Sequence, residues 1–184
     1  NYANSFVELC ESKIFYTSSD GEIVVPYNSE AFGAKILDNS YEDGQGVITF
    51  QSTISRIGRE AFHNCSSLSS IIIPNSVTEI ERDAFSNCTA LDTITIPNSV
   101  TYIGRHAFSN CTSLTSFDMS NNVEVIKEFT FYNCSALTEI VIPNSVKTIE
   151  YNAFDDCTRL GKVHIGASVE TIYGEAFEGC NRLY

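Results

Sequence analysis

Leu68-Ser69-Ser70-Ile71-Ile72-Ile73-Pro74-Asn75-Ser76-Val77-Thr78-Glu79-Ile80-Glu81-Arg82-Asp83-Ala84-Phe85-Ser86-Asn87-Cys88 is one period of a pattern that fills most of the chain. Its residues return every 23 positions: Phe62, Phe85, Phe108, Phe131, Phe154 and Phe177 form one column, Cys65 to Cys180 a second, Leu68 to Leu183 a third. In Leu68-x-x-Ile71-x-Ile73 the period of two puts Ile71 and Ile73 on one face of a short strand. Pro74 has no amide to donate, so it ends that strand and turns the chain. Val77 and Ile80 then point inward on the next side. Ala84, Phe85 and Cys88, at i, i+1 and i+4, suit a helical turn on the third. A single unit cannot enclose a core. Stacked units can, with turns about 4.8 Å apart, so the chain is expected to be a repeat solenoid with short parallel strands.

Composition fits this reading and narrows the partners. The 184 residues are 43% hydrophobic and 18% charged, a globular balance. With 23 acidic and 11 basic residues the formal charge is -12, which repels a phosphate backbone and an anionic bilayer, so no nucleic-acid partner is expected. No apolar run approaches the roughly 18–20 residues of a membrane span. The chain begins at Asn1 with no signal-like segment and reads as a processed or trimmed product.

The repeat Leu-x-x-Ile-x-Ile-Pro-x-Ser-Val-x-x-Ile-Gly-x-x-Ala-Phe-x-x-Cys resembles the BspA-like, Treponema-type leucine-rich repeat over about residues 47 to 184. Tyr16-Thr17-Ser18-Ser19-Asp20-Gly21, Phe32-Gly33-Ala34 and Gly46-Val47-Ile48-Thr49-Phe50 more loosely resemble the region that precedes such repeats. The resemblance implies a right-handed leucine-rich repeat. It also implies a secreted or surface-anchored protein of a gut or oral anaerobe, located extracellularly or on the cell surface. Its role would be adhesion or other protein contact, a host extracellular or matrix protein being one such partner.

Residues 1–46 lack the repeat and are expected to form an N-terminal cap, with residues 47–184 the solenoid of about six turns. Lys13-Ile14-Phe15-Tyr16 and Glu22-Ile23-Val24-Val25, flanking Ser18-Ser19-Asp20-Gly21, read as a β-hairpin. Ala31-Phe32 echoes the repeat 30 residues before Phe62, as a degenerate zeroth turn with an insertion around residues 41 to 46. At the other end Leu183-Tyr184 starts a new strand, which reads as a solenoid cut at its C-terminus or as an edge that meets a partner. One turn departs from the rest: Phe117, Met119 and Ser120 stand where its neighbours have Ile, Ile and Pro. In the same turn Phe129 joins a column of Glu60, Asp83, His106, Asn152 and Glu175. Phe129 is either a binding anchor or a ring folded onto Tyr132.

Candidate chemistry is sparse. Ladder cysteines about 4.8 Å apart keep Cβ atoms beyond the usual 3.5–4.5 Å of a disulfide, and one cysteine per turn does not converge on zinc, so buried free thiols are expected, with no disulfide and no metal. Cys10 stands apart as a lone thiol. The triplets at Asn64, Asn87, Asn110 and Asn133 match a glycosylation pattern but read as side chains that satisfy turn amides. Asp155, Asp156, Glu175 and Glu178 read as a calcium site or as solvated carboxylates. Asp118 and His164 share a column but lie two turns, about 10 Å, apart, too far for an acid–base pair. No phosphate loop or nucleophile motif occurs, so no enzyme activity and no cofactor are expected.

Function should therefore lie on the positions that vary between turns. The strand face opposite Ile71 and Ile73 carries Ser70 and Ile72, then Thr93 and Thr95, Ser116 and Asp118, Glu139 and Val141, and Lys162 and His164. This strip is expected to form the concave surface and to take a protein segment, making the chain a non-catalytic recognition or adhesion module. The alternative is a structural spacer or self-assembly unit that stacks through its open C-terminal edge.

Overall fold

In a computed structural model, residues 11–183 are described. Strands are numbered in chain order. The N-terminal region supplies β1 (Lys13–Ser18), β2 (Ile36–Glu42) and β3 (Gln45–Phe50). Each turn of the solenoid then supplies a strand on each of two sides. The first side carries β5 (Leu68–Ile72), β7 (Thr93–Thr95), β9 (Ser116–Asp118), β11 (Glu139–Ile142) and β13 (Lys162–Ile165). The second carries β4 (Arg56–Ile57), β6 (Glu79–Ile80), β8 (Tyr102–Ile103), β10 (Val125–Ile126), β12 (Thr148–Ile149) and β14 (Thr171–Ile172). Within each side, strands pair in parallel, residue i with i+23, as in Ile71 with Ile94 and Ile80 with Ile103, except that β9 does not pair with β11 nor β8 with β10.

The recurring columns form the interior. Phe62, Phe85, Phe108, Phe131 and Phe154 have no exposed surface, and their rings stack nearly flat, 5.1–5.7 Å apart and within 8° of parallel. Ile71, Ile73, Val77 and Ile80 are buried, while Ile72 between them is 63% exposed, as period-two alternation requires. In the last turn Val163, Val169 and Phe177 are only half covered, because nothing described stacks beyond them.

The third side is not helical. Asp83 and Asn87 both have positive φ (57° and 62°), and the same two columns repeat this in every turn from Glu60 and Asn64 onward. Amides alternate between two kinds of bond. Ala84, Ser86 and Cys88 donate to the carbonyl three residues back, whereas Asp83, Phe85 and Asn87 donate to Arg105, Ala107 and Ser109 of the next turn. Such left-handed residues break a helix but suit a stack of tight turns, and Asn and Asp tolerate that conformation best.

The hairpin also lies elsewhere than the spacing suggests. It joins β2 to β3 through Asp43-Gly44, whose φ values of 49° and 82° suit a two-residue turn. Residues 22–25 form no strand, since β1 is already paired antiparallel with β3 on one edge and β5 on the other. Val24 is held by side chains instead: its amide donates to the Tyr16 hydroxyl (3.2 Å), and Asn39 Nδ2 donates to its carbonyl (2.9 Å). Tyr16 in turn donates to Asn39 Oδ1 (2.8 Å). Its ring lies over Gly46, where any Cβ would fall 2.0 Å from a ring carbon. The position 46/47 falls inside β3. Phe32 sits edge-on against Phe62 at 5.6 Å and closes the end of the ring stack.

Candidate recognition surface

Alternation along β5, β7, β9, β11 and β13 turns one row of side chains inward and leaves the other outside. Ile72, Thr93, Thr95, Ser116, Asp118, Glu139, Val141, Lys162 and His164 are all exposed, and Ser70 is half-buried. Pairing aligns them in two rows. Ser70, Thr93 and Ser116 are in register, as are Ile72, Thr95 and Asp118; further on, Glu139 pairs with Lys162 and Val141 with His164. Ile72 (63% exposed) and Val141 (57%) are the apolar points.

β1 extends this face beyond the repeats. Phe15 stands opposite Ile72, and Val47 opposite Phe15, so an apolar row crosses from the cap onto the solenoid. Thr17 lies opposite Ser70 and shares a hydrogen bond of 2.7 Å with its hydroxyl, which ties that end of the strip to the cap. The spacing of the repeat could not reveal this neighbour, because β1 comes from outside it.

At the far end Glu139 contacts two side chains of the next turn, His164 Nε2 at 2.9 Å and Lys162 Nζ at 3.8 Å. His164 therefore answers to Glu139, not to Asp118. His63 lies edge-on to Tyr27, and His106 stacks on Phe129, so the histidines occupy three separate places. Phe129 lies off the strip, on the turn side. It is half-buried, stacked on His106 at 4.9 Å and edge-on to Tyr132 at 5.8 Å. Burial pushes the His106 imidazole below its ordinary value, although the Asp83 carboxylate pulls the other way.

The cysteine column answers to the backbone. Cys88, Cys111, Cys134, Cys157 and Cys180 are buried free thiols, and each donates to the phenylalanine carbonyl one turn earlier at 3.1–3.3 Å. Cys65 donates to Val25 instead, at 3.4 Å. Burial pushes the Cys65 thiol up to about 11 and Cys111 up to about 12. Cys10 lies outside the described residues. The asparagines that follow the phenylalanines do not serve turn amides: their carboxamides bond to each other across turns, Asn87 to Asn64 (2.8 Å) and Asn133 to Asn110 (2.9 Å). Of the terminal carboxylates, Asp155 and Glu175 accept from Asn152 Nδ2, and no group of three metal-ligating side chains converges among the described residues. No described helix is long and apolar enough to cross a membrane.

A family model of the BspA-type leucine-rich repeat region matches residues 3–68 and 55–184, with six copies. The chain belongs to the BspA-type leucine-rich-repeat family. Its match takes in the cap as well as the repeats. Solved leucine-rich-repeat proteins share the fold. A leucine-rich cell-surface protein of Faecalibacterium prausnitzii is 35% identical with a TM-score of 0.62, over 63% of this chain and 31% of that one. A leucine-rich-repeat protein of Eubacterium ventriosum is 28% identical (TM-score 0.62, 69% and 41%). The Treponema pallidum leucine-rich-repeat protein is also 28% identical (TM-score 0.60, 73% of each chain). The chain thus spans less than half of the first two relatives. No curated protein matches.

Proposed function

We propose that this chain is a non-catalytic recognition module that binds a protein partner through the strip from Ser70 to His164, at the cell surface or outside the cell. One observation carries the reading: nine of the ten strip side chains are exposed on a scaffold whose neighbouring columns are committed to the core. A rigid face with varied side chains and isolated apolar points suits an extended protein segment laid across the turns. The named cell-surface relative supports the location. Phe129 is proposed as a secondary anchor, since its stacked ring is held in place while part of it stays accessible.

Surface plasmon resonance with immobilised fibronectin, laminin and collagen tests the reading. Saturable binding to one of them is the expected result. Absence of binding, combined with a molar mass that climbs with concentration in light scattering, would favour the second reading, a self-assembling spacer.

A further inference from the structure

Three series of backbone hydrogen bonds run along the strand sides, each from a donor to the acceptor one turn earlier. On the first side Asp92 donates to Ser69 and Thr115 to Asp92, and the series resumes with Gly161 to Thr138. On the second, Thr78 donates to Ser55 and Thr101 to Thr78, resuming with Lys147 to Glu124. Beside it Glu81 donates to Ile57 and Gly104 to Ile80, resuming with Glu150 to Ile126. Among the described residues each series lacks one bond: Thr138 to Thr115, Glu124 to Thr101, and Lys127 to Ile103. All three gaps fall between the same two turns. Strand pairing stops there too: β9 and β11, and β8 and β10, still lie side by side but form no hydrogen-bonded ladder.

The turn side crosses this junction intact: His106 donates to Glu128 (3.2 Å), Phe108 to Thr130 (2.9 Å) and Asn110 to Tyr132 (2.7 Å). The core also changes at this junction. Phe117 occupies a column otherwise filled by Ile or Val, and its ring stands edge-on to both Phe108 (4.9 Å) and Phe131 (4.7 Å). It acts as a wedge: the Phe108–Phe131 step of 5.7 Å is wider than the 5.1–5.4 Å of the neighbouring stacked steps. Ser120 stands in the column of Pro74, Pro97 and Pro143 and is buried, donating to Val100 at 2.6 Å. A cleft of about 400 Å³ opens between Thr101–Tyr102 and Glu124–Val125.

We propose that this seam is a hinge, at which the two parts of the solenoid rotate about the continuous turn side and open along both strand sides. Packed turns held on three sides move as one body, whereas turns held on one side have a free rotation axis. The hinge divides the strip between Asp118 and Val141, so rotation re-aims its two segments. That consequence rests on the recognition reading; the hinge itself does not.

Spin-label distances test it. In a Cys10→Ser background, one pair is placed at Ile72→Cys and His164→Cys on the strand side, and another at Ser66→Cys and Thr158→Cys beside the turn side. Both pairs span the seam with four turns between labels, about 19 Å. The strand-side distribution should be at least about twice as wide as the turn-side one, with the triple variant Phe117→Ile, Met119→Ile, Ser120→Pro narrowing it. Equal widths in the parent protein overturn the hinge. If the triple variant does not fold, native-state amide exchange of the parent decides. Thr138, Glu124 and Lys127 should exchange on the order of a hundredfold faster than Thr115, Thr101 and Gly104, and equal protection refutes the proposal.

Discussion

The Cys88 thiol donates to the Phe62 carbonyl oxygen one turn earlier, at 3.1 Å. That carbonyl already accepts from the Cys65 amide, so the thiol fills its second lone pair in a space closed to water. Serine offers a similar donor but gives up the apolar sulfur, and alanine leaves the acceptor half satisfied. Cys88→Ala and Cys111→Ala should each lower stability by about 1–2 kcal/mol in urea titrations.

Alkali gives a second check on the same thiols. Unfolded cysteine ionises near 9.0, whereas burial holds Cys111 neutral up to about 12. Between those values the unfolded state binds fewer protons than the folded one. Stability is therefore insensitive to this thiol below pH 9 and falls above it, by about 1.4 kcal/mol per pH unit. The Cβ resonance of Cys111, followed by NMR on the cysteine-labelled protein, should move to its thiolate position together with unfolding and not before it.

Phe108 is fully buried between two stacked rings, whereas Phe177 at the last turn is half covered. Phe108→Ala should cost about 3–5 kcal/mol and Phe177→Ala distinctly less, both read by denaturant unfolding. Equal losses would mean that the Phe column is not a graded interior stack.

Tyr16→Phe removes the hydroxyl that joins Val24 to Asn39. With a buried amide and carboxamide oxygen left unmatched, it should cost about 1–3 kcal/mol. Gly46→Ala should be worse, since its methyl would overlap the Tyr16 ring.

Phe129 has φ 56°, a conformation that costs a bulky residue about 1–3 kcal/mol, partly offset by its stacking on His106. Phe129→Asn, the residue at the equivalent Asn152, should leave the melting temperature within about 4 °C. It also uncovers His106, whose titration, followed by NMR, should move up toward the ordinary imidazole value. A tenfold loss of partner binding in this variant would mark Phe129 as an anchor.

The solenoid was legible because the same side chains return every 23 residues, and only a shared interior makes one residue type useful in each turn. The turn side was not legible from Ala84, Phe85 and Cys88, whose spacing fits a helix equally well. The better signal was the unbroken Asn64, Asn87, Asn110, Asn133, Asp156, Gly179 column, composed of residue types that tolerate positive φ. Asp43-Gly44 between two alternating runs marked the hairpin, but the Ser-Ser-Asp-Gly stretch near residue 20 looked as good. Its failure comes from competition, since both edges of β1 are occupied by strands distant in sequence. The strip could be read from alternation alone. Its extension through Phe15 and its interruption after Asp118 could not, for both depend on contacts between segments.

On the proposed reading, the exposed row of the strands recognises a protein while the inner row maintains the fold. The most direct measurement is made on the triple variant Thr95→Glu, Asp118→Lys, Val141→Lys, comparing its melting temperature and its affinity for the immobilised matrix protein with those of the parent. A melting temperature within about 4 °C of the parent and an affinity at least about tenfold weaker are expected. Unchanged affinity in a folded variant would contradict that reading.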